Sequence, residues 1–265
     1  MPAPTRAWPG LEPGRRRPRV LVIPGLDGHP GLWRRVGSTA LQGLRPVWFD
    51  HSGDRASGGF EGLAERALAA MDADLEGPAP AYILGESFGG PIALTLARRN
   101  PERVRGLILV STFARYESRL TALAGLAAWR LLGDGVSEHV LRLSHPLTAL
   151  GALGFGSPPE ITQAYLRRPL VDIRAYRAKV TLSLQFDARA WLGEIQRRTF
   201  VLVGRSDPVV SASSGRLLVR HLPSASLYAM AGGHLAWAVR PAEVGGMLRE
   251  WLAVSERHPD ELSSG

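Results

Sequence analysis

Short, continuous apolar runs, each ended by a glycine, a proline or a polar residue, recur along the chain and constrain its fold most strongly. Such runs are typical of strands buried on both faces of a parallel sheet. Amphipathic patterns with helical spacing lie between several of them, for example at 60–71, and another follows the last run at 244–252. Strand–helix alternation predicts an α/β fold with a mostly parallel sheet flanked by helices. The predicted strands are 20–23, 47–49, 81–84, 107–110, 200–203 and 226–230.

The stretch between the fourth and fifth predicted strands breaks this alternation. From about Phe113 to Ile195 it carries leucine, alanine and arginine at helical spacing, interrupted by glycine and proline turns. We therefore predict that 113–195 is a helical cap inserted into a core made of 18–112 and 196–265. Residues 1–17 lack periodicity and are predicted to be a flexible lead-in. The leucines of the cap fit either an acyl pocket or simple packing of the cap on the core.

Composition excludes several classes of protein. The chain has no cysteine, which rules out disulfides, a thiol nucleophile and thiolate metal sites. Its formal net charge of +8 is spread along the sequence, with one short cluster at 15–19 that favours a solvated tail over a nucleic-acid or lipid contact. No apolar stretch is long enough to span a bilayer, and the N-terminus lacks an apolar signal region, so we predict a cytoplasmic protein without an integral membrane segment.

Gly85–Gly89, with the sequence Gly-Glu-Ser-Phe-Gly, lies between a predicted strand and a predicted helix. In that context a G-x-S-x-G motif predicts a nucleophilic serine on a sharp turn, here Ser87. The two glycines relieve crowding around the turn, and the helix that follows directs its N–H groups at the site. The alternative is a glycine-rich strand end with a solvent-facing serine.

A base for Ser87 must come from another loop at the same edge of the sheet. Of the seven histidines, His234 follows the last predicted strand, and loops at the carboxyl ends of parallel strands converge on one crevice. Asp207 follows the preceding strand and is predicted to orient the imidazole. The alternatives are a capping or core role for His234 and an Asx turn at Asp207.

The loop after the first strand, Pro24–Gly28, is predicted to supply part of an oxyanion hole, because glycine lets the main chain come close to a ligand. We assign the two donors to the backbone N–H groups of Leu26 and Phe88. Gly25, Trp33 and Trp237 neighbour these motifs and are predicted to line the substrate pocket.

These four segments together resemble the α/β-hydrolase fold family, over about residues 18–254 and with the insertion in the family's cap position. Two loops depart from common members: Pro24-Gly25 replaces His-Gly, and the segment 50–54 lacks the usual glycine-rich pattern. The motifs are similar to a lipid-active branch of esterases, thioesterases and acyltransferases. Ser87 argues against the dehalogenases and epoxide hydrolases of the family, which use an aspartate nucleophile.

The resemblance implies a serine hydrolase that cleaves carboxylic esters or thioesters of hydrophobic acyl groups through an acyl-enzyme. Acyl transfer by the same three residues is the alternative, and a non-catalytic binding protein on this fold is a further one. The expected partner is a small-molecule acyl ester, with no nucleic acid. No cofactor and no metal is expected, and the sequence makes no prediction of the oligomeric state.

Overall fold

A computed structural model describes residues 17–73, 79–117, 122–124, 126–135, 139, 157–167 and 172–255. Within these ranges six strands form one sheet in the order β2-β1-β3-β4-β5-β6, and every neighbouring pair is parallel. This confirms the predicted sheet. The strands are β1 (Arg19–Ile23), β2 (Arg45–Trp48), β3 (Ala81–Glu86), β4 (Val104–Val110), β5 (Thr199–Gly204) and β6 (Ala225–Met230).

Helices connect the strands and cover both faces of the sheet. The labelled α-helices are α1 (Gly59–Ala73), α2 (Gly89–Arg99), α3 (Pro159–Leu166), α4 (Ile173–Gln185), α5 (Ala212–His221), α6 (Ala236–Val239) and α7 (Pro241–Ser255). A π-helical turn at Trp33–Gly37 runs into a single α-helical turn at Ser38–Ala40, and short 3-10 turns lie at Pro101–Arg103 and Leu192–Glu194. None of the described helices is both long and apolar enough to cross a membrane.

The apolar runs are continuous because the central strands are buried on both sides. In β1, Leu21 and Ile23 point into one core with α1 and α2, whereas Val20 and Val22 point into a second core with α7. Alternate residues of a strand face opposite sides, so a strand between two helical layers needs apolar residues at every position.

The chain reverses its direction of travel across the sheet between β1 and β3. After β1 it moves outward to β2, and it then returns to build β3 to β6 on the other side of β1. In open parallel sheets, ligands bind in the crevice outside the carboxyl ends of the strands at such a switch point. The loops that leave β1 and β3 are Pro24–Gly28 and Ser87–Phe88, the two predicted to carry the chemistry.

The described part of 113–195 is helical at 122–124 and 126–135 and in α3 and α4. Within 113–195 the described residues form one isolated antiparallel β-bridge, between Arg115 and Asp187. Residues 1–16 of the predicted lead-in and most of 136–156 lie outside the described residues. The division into lead-in, core and cap stays a prediction, and 113–195 is called the predicted cap segment below.

Candidate active site

Ser87 lies on a two-residue connection between β3 and α2. Its φ is +51°, a left-handed conformation that non-glycine residues seldom adopt and that stores backbone strain. Hydrogen bonds on both sides hold this conformation: the Ser87 N–H donates to the Val110 carbonyl at 2.9 Å, and Thr112 Oγ1 donates to the Ser87 carbonyl at 2.5 Å. The turn therefore lifts the hydroxyl out of the strand line. Sequence reasoning gave Thr112 no role.

The glycines around Ser87 are required by contact between backbones. A Cβ at Gly85 would lie 2.6 Å from the Gly89 carbonyl oxygen, and one at Gly89 would lie 2.7 Å from the Pro24 carbonyl oxygen. Side chains at these positions would push the helix start away from both β3 and the loop after β1. The steric reason that the sequence offered for the two glycines agrees with this packing.

His234 and Asp207 meet Ser87 at the same edge of the sheet. His234 Nε2 is 3.0 Å from Ser87 Oγ, and His234 Nδ1 is 2.7 Å from Asp207 Oδ2. His234 is buried apart from 8% of its surface, and the Asp207 side chain is inaccessible to solvent. In the tautomer that donates Nδ1–H to Asp207, the Nε2 lone pair faces the Ser87 hydroxyl, so the imidazole is placed to accept its proton.

Asp207 makes both of the contacts between which the sequence left the choice open. Oδ2 pairs with His234, while Oδ1 accepts the backbone N–H groups of Val209 at 2.8 Å and Val210 at 2.9 Å. The Asx turn and the contact to His234 use different oxygens, so neither excludes the other. The turn fixes the carboxylate that in turn fixes the imidazole ring.

The loop after β1 lies directly against Ser87. A Cβ built at Gly25 would be 3.5 Å from Ser87 Cβ, and the Gly25 N–H donates to Glu86 Oε2 at 3.2 Å. Among the described residues, no acceptor pairs with the backbone N–H of Leu26 or of Phe88. Phe88 directly follows Ser87, Leu26 directly follows Gly25, and the oxyanion role of both N–H groups remains a prediction.

Glu86 is a site residue to which sequence reasoning gave no role. It is 7% exposed, and Oε2 accepts from Gly25 and from Trp33 Nε1, the latter at 3.0 Å. A buried carboxylate needs such donors to offset the loss of water. The available signal was an acidic residue at the end of an otherwise apolar strand.

Trp33 and Trp237 stack on each other with ring centroids 3.7 Å apart and planes inclined by 5°. Both are 1% exposed and belong to the core on the α7 side of the sheet. Their observed contacts are those of packing residues. The prediction that they line a substrate pocket is not supported by these contacts and stays a prediction.

No group of three or more His, Asp or Glu side chains that could hold a metal ion occurs in the described ranges. The larger described cavity, of about 560 Å³, lies between α4 and the start of α1 and is lined by Arg55, Arg174 and Arg177 rather than by Ser87 or His234. The candidate site is marked by the hydrogen-bonded side chains and not by this cavity, because chemistry depends on the mutual geometry of the reacting groups.

Comparison with known proteins places this geometry in a family. Residues 14–232 match the family model described as serine aminopeptidase, S33. The chain is 31% identical over 219 residues to the pimeloyl-(acyl-carrier protein) methyl ester esterase of Chromobacterium violaceum, covering 80% of this chain and 84% of that protein. It is 28% identical over 214 residues to the poly(3-hydroxyalkanoate) depolymerase of Ectopseudomonas oleovorans, covering 78% and 73%.

Among solved structures, a hydrolase from Pseudomonas aeruginosa superposes with a TM-score of 0.75 over 89% of this chain and 90% of that one, at 21% identity. At that identity the likeness speaks for a shared fold alone. The family match, by contrast, spans residues 14–232, which is most of the sequence and includes Pro24–Gly28, Ser87 and Asp207 but ends two residues before His234. The chain belongs to the serine aminopeptidase S33 family of α/β hydrolases.

Proposed function

We propose that the protein is a serine hydrolase that cleaves carboxylic esters or thioesters of hydrophobic acyl groups through Ser87, His234 and Asp207. One observation carries the proposal: an unbroken line of hydrogen-bonding contacts runs from Ser87 Oγ through both nitrogens of His234 to Asp207 Oδ2, at 3.0 and 2.7 Å. A serine on a strained turn with an oriented base beside it is the arrangement that nucleophilic acyl transfer needs.

In the acylation step, Ser87 Oγ attacks the acyl carbonyl carbon while His234 Nε2 takes the hydroxyl proton. The carbonyl π electrons move to oxygen, and the resulting oxyanion accepts hydrogen bonds from the N–H groups of Leu26 and Phe88. Each such donor contributes about 10²- to 10³-fold to the rate. The start of α2 adds the positive end of its helix dipole.

Collapse of the tetrahedral intermediate breaks the bond to the leaving alcohol or thiol. His234 gives its Nε2 proton to that group, and Asp207 stabilises the imidazolium that exists between the two proton transfers. Water then attacks the acyl carbon while His234 Nε2 takes one of its protons. The bond between the acyl carbon and Ser87 Oγ breaks, His234 returns the proton to Ser87 Oγ, and the acid leaves. The cycle ends with the side chains in their starting protonation states.

The ester part of the proposal draws on the relatives. The names of both aligned proteins describe hydrolysis of carboxylic esters, one a methyl ester and the other a polyester. The family description instead names an aminopeptidase, which cleaves an amide. Amides therefore belong in the substrate test beside esters and thioesters.

The test is a panel of p-nitrophenyl esters, acyl thioesters and an aminoacyl p-nitroanilide, each with and without added alcohol as an acyl acceptor. Wild type should hydrolyse the esters, and Ser87→Ala should lower kcat by about 10⁶-fold. Ser214→Ala is the matched control, since Ser214 is also buried but lies in α5, which carries none of the three proposed catalytic residues, and it should retain wild-type rates.

A fluorophosphonate probe followed by peptide mass spectrometry locates the nucleophile independently of substrate choice. The adduct should lie on the peptide that contains Ser87 and should be missing in Ser87→Ala. Ester hydrolysis that survives in Ser87→Ala would overturn the proposed mechanism. Hydrolysis of the anilide alone would overturn the proposed substrate class.

A further inference from the structure

His51 fastens both ends of the predicted oxyanion loop, Pro24–Gly28. Its ring Nε2 lies 3.2 Å from the Pro24 carbonyl oxygen, and its backbone N–H donates to the Gly28 carbonyl at 2.9 Å. The Gly28 N–H closes the loop on the Gly25 carbonyl at 2.9 Å. Gly28 has φ +74°, and a Cβ there would lie 2.6 Å from the backbone of His51. The backbone of the loop therefore lies in direct contact with the backbone of His51.

The His51 ring is suited to be a hydrogen-bond donor that does not change its protonation state near neutral pH. The side chain is 2% exposed, and burial lowers its pKa to about 3, so the ring is neutral at physiological pH. A neutral ring can donate Nε2–H to the Pro24 carbonyl, and this tautomer leaves Nδ1 unprotonated. No partner for Nδ1 is found among the described residues. The hydrogen bond that the His51 ring makes to a described residue is therefore the one to the loop.

Lys179 lies in α4, in the predicted cap segment, and contacts His51. It is the only lysine in a chain with 32 Lys and Arg residues, and it is completely buried. Its Nζ donates to the His51 carbonyl at 2.6 Å and lies 3.5 Å from the Ser52 carbonyl oxygen. Burial lowers the pKa of Lys179 to about 8, while the carboxylate of Asp27, itself in the loop, opposes that shift.

We propose that Lys179 is a positioning residue for the predicted oxyanion loop: its ammonium holds the His51 carbonyl, and His51 holds Pro24–Gly28 in place beside Ser87. The inference rests on the proposed function. Burying a lone ammonium is costly unless carbonyl oxygens or carboxylates surround it, so a cation at this point needs the contacts that it makes. A compact ammonium, unlike a guanidinium, concentrates its charge on a single nitrogen.

The position of Lys179 determines which kinetic parameter it controls. In the part of the chain that the structure describes, no hydrogen bond or ion pair links Lys179 to Ser87, His234 or Asp207, so we expect its loss to leave the base and the nucleophile unchanged. If Pro24–Gly28 is held less firmly, the hydrogen bonding of the oxyanion hole to the oxyanion becomes weaker. The oxyanion forms in the transition state and not in the bound substrate. Losing such an interaction lowers kcat and leaves KM nearly constant.

Lys179→Met tests this with a side chain of similar length and no charge. We expect kcat on the best ester of the panel to fall about tenfold, less than the loss of a whole oxyanion donor, with KM within about twofold of wild type. Arg174→Met is the matched control, because it removes a cation from the exposed side of the same helix, and it should keep the wild-type kcat. A Lys179→Met enzyme with wild-type kcat overturns the proposal.

Chemical rescue separates the charge from packing. Because the chain has no cysteine, Lys179→Cys introduces a unique thiol, which can be alkylated in denaturant before refolding. Alkylation with 2-bromoethylamine restores an ammonium at nearly the same distance, whereas 1-iodopropane gives a side chain of the same length that ends in a methyl group. We expect the aminoethyl form to regain most of the lost kcat and the propyl form to remain slow. Equal activity of the two forms overturns the proposal.

Amide hydrogen exchange of the peptide that covers 24–29 reads the loop without any substrate. Lys179→Met should speed exchange there about tenfold while the peptides of β3 and β4 keep their wild-type rates, and unchanged exchange at 24–29 overturns the proposal. Wild type that hydrolyses no member of the panel would defeat the proposed function alone. The exchange result would then still decide whether Lys179 holds the loop.

Discussion

Replacing Gly85 with alanine would drive a methyl group into the turn that presents Ser87. The new Cβ would lie 2.6 Å from the Gly89 carbonyl oxygen and 2.8 Å from the Gly90 Cα. Favourable contacts between such atoms begin at about 3.5 Å, so the strand end and the helix start must separate by about 1 Å. Both obstacles are backbone atoms, which cannot rotate away as a side chain could.

We expect a separation of this size to lower the unfolding free energy moderately and the catalytic rate strongly. Overpacking of this kind costs about 1–3 kcal/mol of unfolding free energy. A displacement of about 1 Å in a reacting group costs about 100-fold in rate. We therefore expect Gly85→Ala to remain folded at 25 °C with kcat about 100-fold below wild type.

Gly106→Ala is the matched control, because Gly106 lies in the neighbouring strand β4 and pairs with Tyr82 near the opposite end of β3. Its Cβ would lie 3.0 Å from the Arg198 carbonyl oxygen and 3.1 Å from the Tyr82 ring. It should lose stability as well but keep kcat within about twofold, since the crowding is remote from Ser87. Initial rates on p-nitrophenyl butyrate and urea unfolding measure the two effects. If Gly85→Ala is destabilised and still turns over within threefold of wild type, the turn absorbs the methyl group without moving Ser87, and the reasoning is wrong.

Three further variants probe the polar contacts of the site. Asp207→Asn should lower kcat about 10⁴-fold, because an amide facing His234 Nδ1 favours the wrong tautomer; steady-state kinetics would contradict this if the loss were under tenfold. Glu86→Gln should lower kcat about tenfold with little change in KM, since the amide accepts less strongly from Gly25 and Trp33 than the carboxylate does, and a pure KM effect would contradict it. His51→Gln should make folding less sensitive to acid. The pKa of His51 lies near 3 in the folded state and near 6.5 when unfolded, so the unfolded chain binds more protons between these values and wild-type stability falls as the pH drops below about 6.5. Urea unfolding at pH 7 and pH 5 should show a loss about 2 kcal/mol larger for wild type than for the variant, and equal losses would refute the assignment.

The sheet was predictable from the sequence because its central strands are buried on both faces. The predicted and observed bounds agree within about three residues for all six strands. At β2 the prediction of 47–49 missed the start of the strand, which includes Arg45 and Pro46. An edge strand tolerates a charge and a proline because one side of it has no hydrogen-bonding neighbour, and a search for apolar runs passes over such residues.

The meeting of Ser87, Asp207 and His234 was predictable for a topological reason. Each follows the carboxyl end of a parallel strand, and all such ends lie at one edge of the sheet. Trp33 and Trp237 show the limit of this argument. Their closeness in sequence to the motifs did not indicate which side of the backbone the indoles occupy. Both rings are buried in the core and stack on each other, and their role in a substrate pocket stays a prediction.

The contacts around Pro24–Gly28 could not be predicted from the sequence, because they join segments that are far apart in the chain and share no local pattern. Glu86 holds the loop across 61 residues of chain, and Lys179 reaches His51 across 128. An oxyanion hole made of backbone N–H groups needs those groups to be fixed before the charge develops, yet a loop with two glycines is costly in entropy to hold still. Apolar packing is non-directional and gives a glycine little to hold. Buried hydrogen bonds are directional. Glu86 and His51 both form such bonds with the loop. The burial of an acid, a neutral histidine and the single lysine around one short loop then has a common cause: the proposed role requires the loop to be rigid, and Gly25 and Gly28 have no side chains with which to hold it.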